Sequence, residues 1–159
     1  MGAGEGRRQL NTTIREILDA AILREEDAQA FYTRVAAACD NAYVRQLFTQ
    51  LASDEQGHKV FLIGCLADPK LLQKFPLPAD YKVAEATSSP ESSATMTPVD
   101  AIAVAMKREQ TAVEHYRWLA SMATTPDYKQ AFEGLAAMEL GHKAKLETAF
   151  VNIGYPESF

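Results

Sequence analysis

Residues 55–58 read Glu-Gln-Gly-His and residues 139–142 read Glu-Leu-Gly-His. The two stretches lie 84 residues apart, and the same offset relates much of the chain. Arg24, Glu25, Ala28 and Tyr32 align with Arg108, Glu109, Ala112 and Tyr116 without a gap. Gln46, Phe48, Leu51 and Ala52 align with Gln130, Phe132, Leu135 and Ala136, and Lys59 and Leu62 with Lys143 and Leu146. Common helix formers repeat by chance. Glu, Tyr, Gly and His do not readily repeat at one offset, so the register points to a duplicated helical hairpin with an approximate two-fold axis.

The pattern around these motifs is helical. Ile14, Ile17, Leu18, Ala21, Ile22, Ala28, Tyr32 and Val35 recur at helical spacing, predicting a helix over 12–38 with Thr13 and Glu16 as its capping box. A second helix is predicted over 41–66 with Asp40 as N-cap, a third over 97–122 and a fourth over 125–153. The third and fourth each open on Thr-Pro, a cap followed by proline at the first helical position. Short connections make each pair an antiparallel hairpin. The crossover 67–96 is long enough to run the length of a bundle, with Ser88–Ser93 as its most mobile part. The fold class is therefore all-α: an antiparallel four-helix bundle, one domain over 1–159, built from two hairpins and a crossover.

Each hairpin carries one glutamate on its first helix and a Glu-x-x-His on its second: Glu25 with Glu55 and His58, and Glu109 with Glu139 and His142. Positions i and i+3 share a helix face, so each Glu and His of a motif point the same way. Glu25 and Glu109 sit on apolar stripes. The reading therefore brings four carboxylates and two imidazoles together inside the bundle. Buried unpaired carboxylates are strongly penalised, and like charges raise one another's pKa. Two divalent cations remove both costs and move the net charge from −5 to −1. Oxygen and nitrogen ligands without thiolate suit iron or manganese and tolerate zinc.

Tyr32 and Tyr116 lie two turns beyond Glu25 and Glu109. They read as donors to ligand carboxylates and redox-active side chains, or as core aromatics whose hydroxyl seeks an acceptor. Ala28 and Ala112 leave room beside the metals. Gly57 and Gly141, costly inside helices, suggest close helix approach near the site. His115 replaces Phe31 in the repeat and reads as peripheral.

Composition narrows the functions. The chain has 159 residues with 16 Lys+Arg against 21 Asp+Glu, a balance that argues against nucleic acid and anionic membranes as partners. Nothing approaches a spanning helix or a secretory signal. Cys39 and Cys65 form no CxxC pair, so the chain holds no four-cysteine iron site, and the thiols read as reduced, placing the protein in the cytoplasm. A continuous second helix sets the two cysteines about 39 Å apart, too far for a disulfide.

The paired motifs, with Phe31-Tyr32 and Glu139-Leu140-Gly141-His142, resemble the rubrerythrin branch of the ferritin-like di-iron proteins over about residues 14–150. The resemblance implies a ferritin-like fold and two iron ions, with Glu55 and Glu139 bridging, Glu25 and Glu109 terminal, and His58 and His142 each on one metal. It implies reduction of hydrogen peroxide or dioxygen, an external electron donor such as a rubredoxin or a reductase, and a homodimer whose crossover can be swapped. Alternatives are a ferroxidase or iron-storage protein and a non-catalytic metal-binding bundle. Two departures stand out. Typical members carry a C-terminal rubredoxin-like domain, which is missing here. They also have a further glutamate one turn beyond the third-helix ligand, which exchanges with a histidine as a ligand; this chain has Ala112 there.

Overall fold

The computed structural model describes residues 2–68, 70–71, 78–87, 97–123 and 125–154, with side chains from residue 14 onward. The elements are α1 (Gly2–Ala38), α2 (Ala42–Ala67), the short α3 (Val83–Ala86), α4 (Pro98–Met122) and α5 (Pro126–Gly154). No strand occurs among the described residues. The chain divides into two compact units, Met1–Gln73 and Lys74–Phe159.

In the first unit α1 and α2 form a hairpin. Tyr32 stacks on Phe48 at 5.7 Å between ring centroids, while Glu25 lies 3.6 Å from His58. One contact pairs positions late in α1 with early α2, the other the reverse, so the helices run antiparallel. The buried residues Leu18, Ala21, Glu25, Tyr32 and Ala36 keep helical spacing, and the ligand candidate belongs to that buried stripe. On α2 the buried set is Val44, Phe48, Leu51, Ala52, Glu55, Leu62 and Cys65.

Two expectations change in this unit. The helix does not start at Thr12: α1 begins at Gly2, so the Thr13–Glu16 pair lies inside it. Once a helix is nucleated, each further residue adds a hydrogen bond, and no proline precedes position 69 to stop it. The cap of α2 is Asn41 rather than Asp40. Its backbone is extended and its Oδ1 accepts from the Val44 N–H at 3.0 Å.

In the second unit α4 opens on Pro98, and Thr97 Oγ1 accepts from the Asp100 N–H at 3.2 Å. Thr125 does the same for α5, accepting from the Tyr128 N–H at 3.3 Å. The three residues 123–125 join them. Between the hairpins the crossover is not plain loop. Pro78–Thr87 forms a strap containing α3, in which Asp80 Oδ1 accepts from the Lys82 N–H at 3.2 Å. Lys82 then turns left-handed at φ 59°, an uncommon conformation for a residue with a side chain. The Ser88–Ser93 run lies outside the described residues. Both cysteines are free: Cys65 is buried in the continuous α2, and burial together with the Asp68 charge pushes its thiol up to about 11.

Candidate metal centre

Each hairpin positions its own glutamate–glutamate–histidine group, and the two can be described side by side. In the first, Glu25 and Glu55 are both buried, and Glu25 Oε2 lies 3.6 Å from His58 Nδ1. Glu25 Oε2 makes no hydrogen bond. In the second, Glu109, Glu139 and His142 are all buried, with Glu109 Oε1 3.8 Å from His142 Nδ1. One ligand atom from each of these three lies within 4.8 Å of the others. The burial of the four glutamates and His142, and the partial burial of His58, follow from the repeat: each glutamate falls in the buried stripe of its helix, and each histidine sits one turn beyond its motif glutamate.

A buried carboxylate oxygen without a hydrogen bond costs roughly 1–3 kcal/mol or more, because the group has lost its water and gained nothing. Glu25 Oε2 is such an atom. A cation held there compensates it, and the donor set of carboxylate oxygens and imidazole nitrogens fits iron or manganese. The residues therefore fit a resident metal on their own chemistry.

Tyr32 and Tyr116 are buried, as their spacing suggested. Tyr32 packs tilted against Phe31 and Phe48, Tyr116 against His115, all near 5.6 Å between centroids. Ala112 is buried behind Glu109, and His115 is exposed. Among the described residues the two motif glycines do not mark close helix approach: a Cβ on Gly57 meets nothing within 4 Å, and one on Gly141 meets Pro78 Cγ of the strap at 3.7 Å.

A second charged cluster went unread in the sequence. Lys143, next to His142 and only 1% exposed, donates to Asp80 Oδ1 at 2.6 Å and pairs with Glu85 at 2.7 Å and Glu147 at 3.4 Å. Glu147, 0% exposed, accepts from the Ala84 N–H at 2.8 Å. Burial pushes the Lys143 ammonium down, but its hydrogen bonds to Asp80 and Glu85 and the nearby carboxylates outweigh this and hold it above the ordinary lysine value. Burial likewise pushes Asp80 up, and Lys143 with the Lys82 N–H outweighs it, holding that carboxyl below the ordinary range. Asp80, Glu85 and Glu147 are close enough to grip a metal, yet the ammonium already sits among them as their cation. The cluster fastens the strap to α5. Its one sequence signal was a lysine four residues before a glutamate on the motif face of a helix.

Carboxylate–histidine groups, one per hairpin and free of thiolate, mark an all-helical protein with candidate metal sites built from glutamate and histidine. Comparison with known proteins makes this specific. The chain belongs to the rubrerythrin family, whose model matches residues 16–150. Its fold class is accordingly the all-α, ferritin-like helical bundle, and the family is one of di-iron carboxylate proteins. A solved structure of a hypothetical protein from Pyrococcus furiosus is similar in fold, with a TM-score of 0.57, 24% identity and 88% of this chain and 89% of that one covered. No curated protein matches. No described helix is long and apolar enough to cross a membrane.

Proposed function

We propose that the protein is a cytoplasmic di-iron oxidoreductase that reduces hydrogen peroxide, or dioxygen, with electrons from an external donor such as a rubredoxin or a reductase. One observation carries this reading: each hairpin buries two glutamates and brings the one on its first helix to its motif histidine, at 3.6 Å for Glu25 and His58 and 3.8 Å for Glu109 and His142. Two such groups supply six ligands and four negative charges, the complement of two divalent ions.

Iron supplies the redox chemistry: peroxide takes two electrons and two protons to give two waters, one electron from each iron(II), and the donor returns both. The chain's own residues hold the ions and set their surroundings. Glu25, Glu55, Glu109 and Glu139 neutralise the charge, and His58 and His142 fix one nitrogen ligand each. Tyr32 and Tyr116, buried two turns from Glu25 and Glu109, serve as hydrogen-bond donors that orient ligand carboxylates.

The reading is tested by loading the protein with iron(II) without air and adding one equivalent of peroxide. The expected result is two irons per chain and rapid oxidation, seen as a new near-ultraviolet absorption. His58→Ala and His142→Ala should each lower the oxidation rate by about 10²-fold or more, since even residues that only orient ligands are worth 10–100-fold. A loaded protein that ignores both oxidants defeats the proposal. Retained zinc without iron exchange favours a structural metal bundle, and mineral growth in a large shell favours storage.

A further inference from the structure

The two motif histidines have the same chemistry in different surroundings. The His58 side chain is 18% exposed and that of His142 3%. Around His58 the helix is open: Lys59 is partly exposed, Ile63 is exposed, and a Cβ on Gly57 meets nothing within 4 Å among the described residues. At the equivalent positions around His142 the strap closes on α5. Pro78 lies over Gly141, Asp80 and Glu85 grip Lys143, and buried Glu147 accepts from the Ala84 N–H. The strap is also tied to α4, because Arg117 Nη1 lies 3.7 Å from Asp80 Oδ2. Asp80 thus joins the helix of Glu109 to the helix of Glu139 and His142.

An ion held by several buried side chains cannot leave while they stay in place. Its ligands must separate, which takes a local opening of the helices that carry them. The frequency of such openings is set by the contacts they break. In the first hairpin the charged contact beside the motif is the surface pair of Lys59 with Glu26 of α1, a kind of pair worth little in water. In the second, an opening must part a lysine only 1% exposed from Asp80 and Glu85, together with the Ala84–Glu147 hydrogen bond. Away from water these contacts are electrostatically stronger.

We infer that the strap, fastened through Lys143, makes the two metal positions kinetically unequal. A divalent ion on Glu109, Glu139 and His142 is locked in, whereas one on Glu25, Glu55 and His58 exchanges with solution. Lys143 is a positioning residue in this scheme: it acts through the strap and the helix that carries His142. The first hairpin becomes the half through which metal is gained and lost. The inference rests on the metal reading of the two groups and needs neither the oxidant nor the electron donor.

Metal release from the full chain tests it, with cobalt(II) as a probe that needs no redox turnover. The protein is loaded with cobalt and mixed with excess EDTA, and the cobalt it retains is counted after rapid desalting at successive times. One ion should leave quickly and the other at least about tenfold more slowly, a ratio that needs only about 1.4 kcal/mol of extra opening energy. His142→Ala should abolish the slow phase and His58→Ala should not. Lys143→Met should speed the slow ion about tenfold and leave the fast one unchanged, whereas Lys59→Met should change neither. Glu85→Gln removes one partly exposed carboxylate of the cluster and serves if Lys143→Met does not fold; it should speed the slow ion about threefold. A fold that is merely weakened would release both ions faster, so strap variants that speed both alike overturn the inference. Two ions leaving at one rate overturn it as well, as does a slow phase that survives His142→Ala. A chain that takes up no cobalt defeats the metal reading itself, and this inference with it.

Discussion

The two hairpins carry the same ligand geometry under different outer surfaces. Inward, Glu25 with His58 and Glu109 with His142 differ by only 0.2 Å in separation. Outward, the correspondence ends. Lys143 is buried under the strap with three carboxylates around it, while its repeat partner Lys59 is 30% exposed and pairs with Glu26 at 2.8 Å. Glu147 is fully buried, and its counterpart Ile63 is exposed. His58 is partly exposed and His142 is not. The three differences run the same way: the residue of the second hairpin is buried, with its charged partners around it, and its counterpart in the first is left partly or largely exposed. The inner register and the outer cover are thus independent properties of one helical unit, and the crossover makes the hairpins unequal.

The sharpest way to break this comparison is to remove the same residue from both halves. Lys143→Met leaves Glu147 buried without its cation and releases Asp80 and Glu85. Breaking a buried ion pair from one side costs about 3–5 kcal/mol. Lys59→Met removes an exposed pair and should cost less than about 1 kcal/mol. Urea unfolding of the two variants against wild type measures both. Equal effects would mean that the strap is not anchored through Lys143.

How much of this was legible beforehand follows from where each feature is encoded. The ligand groups were readable because Glu-x-x-His is local and the 84-residue register repeats it. Thr97-Pro98 and Thr125-Pro126 were readable for the same reason: caps act within three residues. The start of α1 was not, because Thr13 and Glu16 have capping-box spacing even in the middle of a longer helix. Asp40 and Asn41 are chemically equal as caps, and only the extended backbone at Asn41 decides between them. The strap helix is four residues long, below any period, and its place is set by contacts 63 residues away, from Lys143 to Asp80 and Glu147 to Ala84. No local pattern distinguishes buried Lys143 from exposed Lys59.

Acid offers a gentler probe of the same asymmetry. Asp80 is held below the ordinary carboxylate range in the folded chain. A depressed folded value means that its contribution is complete above the unfolded pKa near 3.9 and is lost as pH falls through the lower folded value. Asp80→Asn should therefore unfold earlier than wild type at neutral pH, and the gap should close below about pH 4. Ligand carboxylates titrate in both proteins and cancel in the difference. Melting curves from pH 3 to 7 check this, and a gap that persists undiminished at pH 3 assigns the stability to the hydrogen-bonding shape of the side chain rather than to its charge.

The smallest effect tests the two halves at one repeated position. Gly57→Ala and Gly141→Ala each improve helix propensity by up to about 1 kcal/mol. At Gly141 the new methyl meets Pro78 Cγ at ordinary van der Waals distance, so the strap need not move and the gain is kept. At Gly57 the methyl meets nothing within 4 Å among the described residues, and the gain is kept there too. Both variants should therefore melt above wild type by similar amounts, which thermal melts of the two measure side by side. A gain at Gly57 with a loss at Gly141 would mean that the strap cannot take a methyl beneath it, and that the cover over α5 constrains a position that is open on α2.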